Sequence, residues 1–258
     1  MSSTHSSWFA HQLQTWINRR QQNFLTMPKS SRRFVLFGAD FSGGHLVVDL
    51  LRHVTDVRYG ALPPTWKVAS LLNQRHFFPL RHIQFHQLAC AEYLFGFKLS
   101  AADLINTHHM SEPHLFMTLL SDRGYKVIHL KRRDLMRHAI ALLKAQQPKS
   151  RHIDPQALLA TLKQLDEQRI AEAATIAQVS RLTVTYEDDL LDPNVYDATV
   201  RRLCHFLSLE PQQRSQYPMK LVHQQLSDLI DNYDEVHGAL ERSDYAYVLT
   251  EASAKLVV

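Results

Sequence analysis

Apolar residues along this chain fall into two patterns. In one they form short, mostly apolar runs: residues 34–37, 93–99, 125–130 and 182–186, rich in β-branched and aromatic side chains. Runs of that length predict strands buried on both faces, as in a parallel sheet. A shorter strand is expected over 56–59, ahead of the break at Leu62-Pro63-Pro64. In the other pattern apolar positions recur every third or fourth residue, which predicts helices. These cover 43–54, a segment capped by Ser100, 134–147 with Pro148 ending it, and 195–207. A further helix is expected around 226–240. The clearest starts at Asp154 as N-cap with Pro155 in the first turn, followed by Leu158, Leu159, Leu162, Leu165 and Ile170 on a core-facing stripe. Strands alternating with helices predict an α/β protein whose parallel sheet is covered by helices. Residues 5–26 read as an amphipathic helix joined by a Pro/Ser/Lys/Arg linker. This divides the chain into an N-terminal helix and linker (1–32) and an α/β domain (33–258). Residues 66–92, rich in His and Phe, read as helix and loop.

Composition narrows the class. The 258 residues are 45% hydrophobic and 21% charged, ordinary values for a globular core and far from those of a disordered chain. Two cysteines, Cys90 and Cys204, cannot build a disulfide framework and lack metal-ligand spacing, so a reducing compartment and a cytoplasmic location are expected, with no metal. No apolar run reaches the length of a membrane span, and no signal peptide is visible. A net charge of +4 mildly favours anionic ligands.

The chemistry concentrates at the end of the first strand. Gly38-Ala39-Asp40-Phe41-Ser42-Gly43-Gly44-His45 joins that strand to the first helix, a geometry that aims backbone N–H groups and a helix N-terminus at a phosphate. The spacing Gly38-x-x-x-x-Gly43 matches the first half of a nucleotide-triphosphate loop. Gly44 and His45 then stand where the lysine and the Mg²⁺-binding hydroxyl belong, which argues against a kinase-like phosphotransferase. Lys131-Arg132-Arg133 leaves a buried strand where a phosphate could be held. No aromatic interleaving accompanies it, so nucleic acid is not an expected partner. His45, inside the loop, is a candidate proton acceptor or cation, and Lys98 could reach in from the neighbouring strand. His108 and His109 carry the same chemistry with less positional support. Glu187-Asp188-Asp189 reads as an acidic cluster that complements a helix dipole.

Four ordered segments bear a family likeness: Phe41-Ser42-Gly43-Gly44-His45 with Leu46 to Leu51, Tyr93-Leu94-Phe95-Gly96-Phe97-Lys98-Leu99, Lys126 through Leu135, and Val184-Thr185-Tyr186-Glu187-Asp188-Asp189-Leu190 leading to Phe206-Leu207. Together with Ile230-Asp231-Asn232-Tyr233-Asp234-Glu235-Val236 they resemble the PAPS-dependent sulfotransferases, in particular the bacterial and carbohydrate-type branch, with a divergent phosphosulfate loop. The resemblance spans about residues 33–249. It implies a P-loop-like three-layer α/β/α fold with a central parallel sheet. It also implies a metal-free transfer of a sulfuryl group from 3′-phosphoadenosine 5′-phosphosulfate (PAPS) to a hydroxyl of a carbohydrate, lipid or small metabolite. Phe41, Ser42, Gly43, Gly44 and His45 would cradle the 5′-phosphate, Arg132 with Arg133 beside it would take the 3′-phosphate, and His45 and Lys98 would be catalytic. The departures are specific. Phe41 replaces the family's basic residue, whose charge is typically worth about 3 kcal/mol to the leaving group. No hydroxyl lies near Ala139–Ala141, where the family's phosphate-binding serine belongs, and no carboxylate stands at Gly60-Ala61 for the general base, Asp56 being the nearest. The same departures support an alternative: a catalytically degenerate relative acting as a nucleotide- or partner-binding module. Acceptor identity, tied to residues 62–92 and the C-terminal region, and oligomeric state stay open.

Overall fold

The computed structural model describes residues 33–61, 93–210, 217 and 226–253. The expected helix over 5–26, its linker, and the segment 66–92 lie outside them. Five strands, β1 (Arg33–Phe37), β2 (Val57–Ala61), β3 (Leu94–Leu99), β4 (Lys126–Lys131) and β5 (Arg181–Thr185), form one sheet in the order β2-β3-β1-β4-β5. Every neighbouring pair is parallel. The first strand in the chain is thus the middle one in space, and its C-terminal end has a neighbour on each side.

The apolar runs of β1, β3 and β4 follow from burial on both faces, whereas β5, at the sheet edge, fully buries only Val184. Alternate residues serve opposite layers, as the two-residue period of a strand requires. Phe34 and Leu36 join Leu94, Ile128, Leu130 and Val184 beneath helix α1 (Gly44–Arg52), which contributes Val47, Val48 and Leu51. Val35 and Phe37 face the other way, with Phe95, Phe97, Leu99 and Val127, against Leu104 and the helix α2 (Pro113–Asp122) through Phe116, Met117 and Leu120. Helices α3 (Leu135–Gln146) and α4 (Pro155–Thr175) pack a third apolar cluster with residues further along the chain. Helix α5 (Tyr196–Leu207) joins α1 over the first face. The result is the expected P-loop-like three-layer α/β/α architecture.

Local signals set the boundaries. Asp134 caps α3 by accepting from the Arg137 N–H, and Asp154 caps α4 by accepting from Gln156 and Ala157. Ser100 and Asp103 form a reciprocal capping box: the Ser100 hydroxyl accepts from the Asp103 N–H, and the Asp103 carboxylate accepts from the Ser100 N–H. The helix so started is π-helical over Asp103–Thr107.

Two expectations change. Ile170 does not continue the buried stripe of α4; it is 73% exposed, while Leu158, Leu162 and Leu165 are buried. The helix expected over 226–240 is broken into α6 (Leu226–Leu229) and α7 (Tyr233–Glu241). The break arises because Asp231 donates its N–H to the Arg151 carbonyl and Asn232 bonds both the N–H and the carbonyl of Ile153. Those backbone groups lie before α4, and binding them takes residues 230–232 out of helical geometry. The last described element is α8 (Tyr247–Ser253), and neither it nor α2 was expected from the sequence.

Candidate functional site

The loop between β1 and α1 opens at the sheet's C-terminal edge, where ligands of open α/β sheets sit. Gly38 donates its N–H to the Leu99 carbonyl of β3, which fixes the start of the loop. Beyond it, Phe41 adopts a left-handed conformation with φ 59°, and so does Gly43 with φ 94° and ψ 13° as the residue before α1. A Cβ on Gly43 would come within 2.6 Å of Leu190 and 2.9 Å of the Tyr186 ring, so glycine is needed there for space as well as for φ. Among the described residues, no backbone N–H from Ala39 to Leu46 donates a hydrogen bond. Left-handed residues beside a helix N-terminus, with unspent N–H groups, make a concavity suited to an anion.

Two charged side chains close on this loop. Arg132, just past the end of β4, donates from Nη1 to the Phe41 carbonyl at 2.9 Å, and its guanidinium lies 4.6 Å from the centre of the Tyr186 ring. Its Nε is buried and has no partner among the described residues. Burial lowers the Arg132 pKa, with the Tyr186, Glu187 and Asp134 charges opposing. Lys98, on β3, pairs with the Asp40 carboxylate. Burial and the Asp40 charge together raise the Tyr59 phenol to about 12, and His45 stands edge-on to that ring at 6.4 Å.

The turn that presents Arg132 is fastened from two sides. The Glu187 carboxylate accepts the N–H groups of Arg133 at 2.9 Å and Asp134 at 3.0 Å. From α4, Arg169 donates to the carbonyls of Arg132 and Arg133. Arg133 itself pairs with Asp188, so its guanidinium is engaged away from the loop. Asp189 accepts the Thr185 N–H and pairs with Arg202. The three acidic residues after β5, read from the sequence as a complement to a helix dipole, are therefore fasteners with three different targets.

No protein-family model matches the chain, and no curated protein matches it. Among solved structures it is similar to a sulfotransferase from Alicyclobacillus acidocaldarius, with 12% identity, a TM-score of 0.46, and coverage of 87% of this chain and 95% of that one.

Of the residues singled out in the sequence, Phe41, Ser42, Gly43, Gly44 and His45 share the loop, and Arg132 and Lys98 each touch it. Ser42 is buried, whereas Phe41 is about half exposed. Ala139 and Ile140 are packed in the third apolar cluster. No group of three or more His, Cys, Asp or Glu among the described residues could hold a metal ion.

Three residues carry contacts the sequence did not announce. Asp40 occupies the loop between Gly38 and Gly43 and pairs with Lys98. Glu187 holds the Arg132 turn. His138, on the first turns of α3 and only 3% exposed, places Nε2 2.6 Å from the Asp40 carbonyl. A polar residue on the buried stripe of α3, beside Leu135 and Ala139, was the available signal for His138.

Proposed function

We propose that this protein is a sulfotransferase that moves a sulfuryl group from PAPS to a hydroxyl of a carbohydrate, lipid or small metabolite. The observation that carries the reading is the β1–α1 loop. Its backbone N–H groups are unspent among the described residues, and Arg132 and Lys98 converge on it. The order of the four family-like segments supports the same reading. The donor set fits the group. The loop offers N–H donors for a 5′-phosphate, and the unpartnered Arg132 Nε offers one for a second phosphate.

Bound PAPS would supply an activated sulfuryl group with a phosphate leaving group. The chain's own part is electrostatic. Residues 41–45 orient the phosphate through backbone donors. Arg132, held over the Tyr186 ring, supplies a permanent positive charge without reorganising at the moment of transfer. Lys98 replaces the cation that Phe41 lacks, and Asp40 holds its ammonium at the loop. His45 stands on the exposed side of the helix N-terminus, where it can take the acceptor's proton.

Calorimetry with 3′-phosphoadenosine 5′-phosphate, with ATP as control, tests the reading. Wild type should bind the bisphosphate in preference to ATP, and Arg132→Ala should lose that binding while keeping its far-UV circular dichroism. Equal or absent binding of both nucleotides by the wild type would refute it.

A further inference from the structure

The loop's two central carbonyls are both turned to one side. His138 Nε2 holds the Asp40 carbonyl at 2.6 Å, and Arg132 Nη1 holds the Phe41 carbonyl at 2.9 Å. Both side chains come from the segment that leaves β4 and starts α3. In a trans peptide the N–H points opposite to the C=O. The Asp40–Phe41 and Phe41–Ser42 peptides therefore direct the Phe41 and Ser42 N–H groups away from that segment. Consecutive carbonyls cannot share a side in an extended strand; the left-handed φ of 59° at Phe41 permits it here.

We infer that His138 is a positioning residue for the anion loop: its Nε2–H grips the Asp40 carbonyl and so turns the Phe41 N–H toward the bound anion. This rests on the reading of the loop as a phosphate site. It gives the site what the absent basic side chain at Phe41 would have supplied, as an oriented backbone donor in place of a charge. The role requires a neutral imidazole with its hydrogen on Nε2. The surroundings enforce that state: Nδ1 is buried with no partner among the described residues, so a second proton would have nothing to bind. Arg132 and Arg169 add repulsion against a positive ring.

The geometry also separates this role from packing. Leucine at 138 fills similar space and removes the donor; glutamine keeps an amide N–H near the position of Nε2. The experiment is a titration of wild type, His138→Leu and His138→Gln with sodium sulfate and, separately, with 3′-phosphoadenosine 5′-phosphate, followed through the Phe41 and Ser42 amide resonances. The imidazole ¹⁵N spectrum of the free wild type is recorded alongside. Both anions should shift the two amides in the wild type. His138→Leu should bind the bisphosphate roughly tenfold or more weakly, the range for losing one hydrogen bond to a charged group. His138→Gln should stay within about threefold of the wild type, on the same scale. Wild-type affinity and an unchanged Phe41 shift in His138→Leu would overturn the inference alone. Equal loss in folded Leu and Gln variants would also overturn it, since packing would then be the role. If neither anion moves the wild-type amides, the phosphate-site reading fails and the inference with it. The imidazole spectrum would in that case still report whether the His138 to Asp40 bond exists.

Discussion

Replacing Glu187 tests how firmly the Arg132 turn is held. Its carboxylate accepts two backbone N–H groups, from Arg133 at 2.9 Å and Asp134 at 3.0 Å. Hydrogen bonds to an ionised acceptor contribute about 1.5–3 kcal/mol each when buried. The Arg133 N–H can turn to water once released, so its share falls to about 0.5–1 kcal/mol. The Asp134 N–H starts α3 in a half-buried position and should keep about 1.5 kcal/mol. Glu187→Ala should therefore destabilise the fold by about 2–2.5 kcal/mol. Glu187→Gln retains one acceptor oxygen but sets an amide NH₂ against the other N–H, so it should lose about half to two-thirds of that. Urea unfolding followed by far-UV circular dichroism reads the effect as a drop in midpoint at constant m. Combined with Arg132→Ala, Glu187→Ala should be non-additive by at least about 0.5 kcal/mol, because both act on one turn. A loss below about 0.5 kcal/mol for Glu187→Ala, within the range of ordinary surface substitutions, would refute the account of Glu187 as a clamp.

Two further outcomes follow from residues far apart in the chain. Burial, aided by Arg132 and Arg169 against the pull of the Asp40 carbonyl, lowers His138 to about 4. Below the ordinary value near 6.5 the unfolded chain takes up a proton that the folded one refuses. Stability should therefore fall as pH drops from about 6.5 to about 4, by about 3 kcal/mol from this residue alone. His138→Gln should flatten that part of the pH profile, and an unchanged slope would count against it. At the other end of the domain, α5 closes with Ser208 at φ 56°, ψ 45°, and the Leu209 N–H reaches the Cys204 carbonyl. That left-handed position favours glycine, so Ser208→Gly should raise stability by about 0.5–1 kcal/mol in thermal or urea unfolding, with no change in ligand binding.

The strands were legible because a parallel sheet buries its central strands on both faces, and that leaves apolar-rich runs such as 34–37 and 125–130. The starts of α3 and α4 were legible because Asp134 and Asp154 cap through bonds only two or three residues long. The turn from β1 into α1 was legible through Gly38 and Gly43, whose conformations few other residues adopt. What the sequence hid depends on partners distant along the chain. Asp40 meets Lys98 and His138, and Glu187 meets the Arg133 and Asp134 backbone; spacing encodes none of these pairs. His138 looks like any histidine on an amphipathic helix until the Asp40 carbonyl is placed beside it. Ile170 misled because it stands five residues after Leu165, off the face on which Leu158, Leu162, Leu165, Glu172 and Thr175 are buried. The break between α6 and α7 was hidden by a distant partner too, since Asn232 bonds to backbone before α4.

The sheet's strand order also bears on how the chain reaches this structure. Every rung joins segments far apart in the chain: Arg33 lies beside Phe95, Phe34 beside Lys126, Val57 beside Leu94, and Val127 beside Arg181. Among the described residues no hairpin offers an early local pairing, so loop-closure entropy must be met before any rung of this sheet forms. During synthesis the central strand emerges first and stays without either neighbour until β3 and then β4 leave the ribosome. In that interval Phe34-Val35-Leu36-Phe37 is an exposed aggregation-prone segment. Slow refolding, and a yield that falls with protein concentration, are the kinetic signature expected of such a topology.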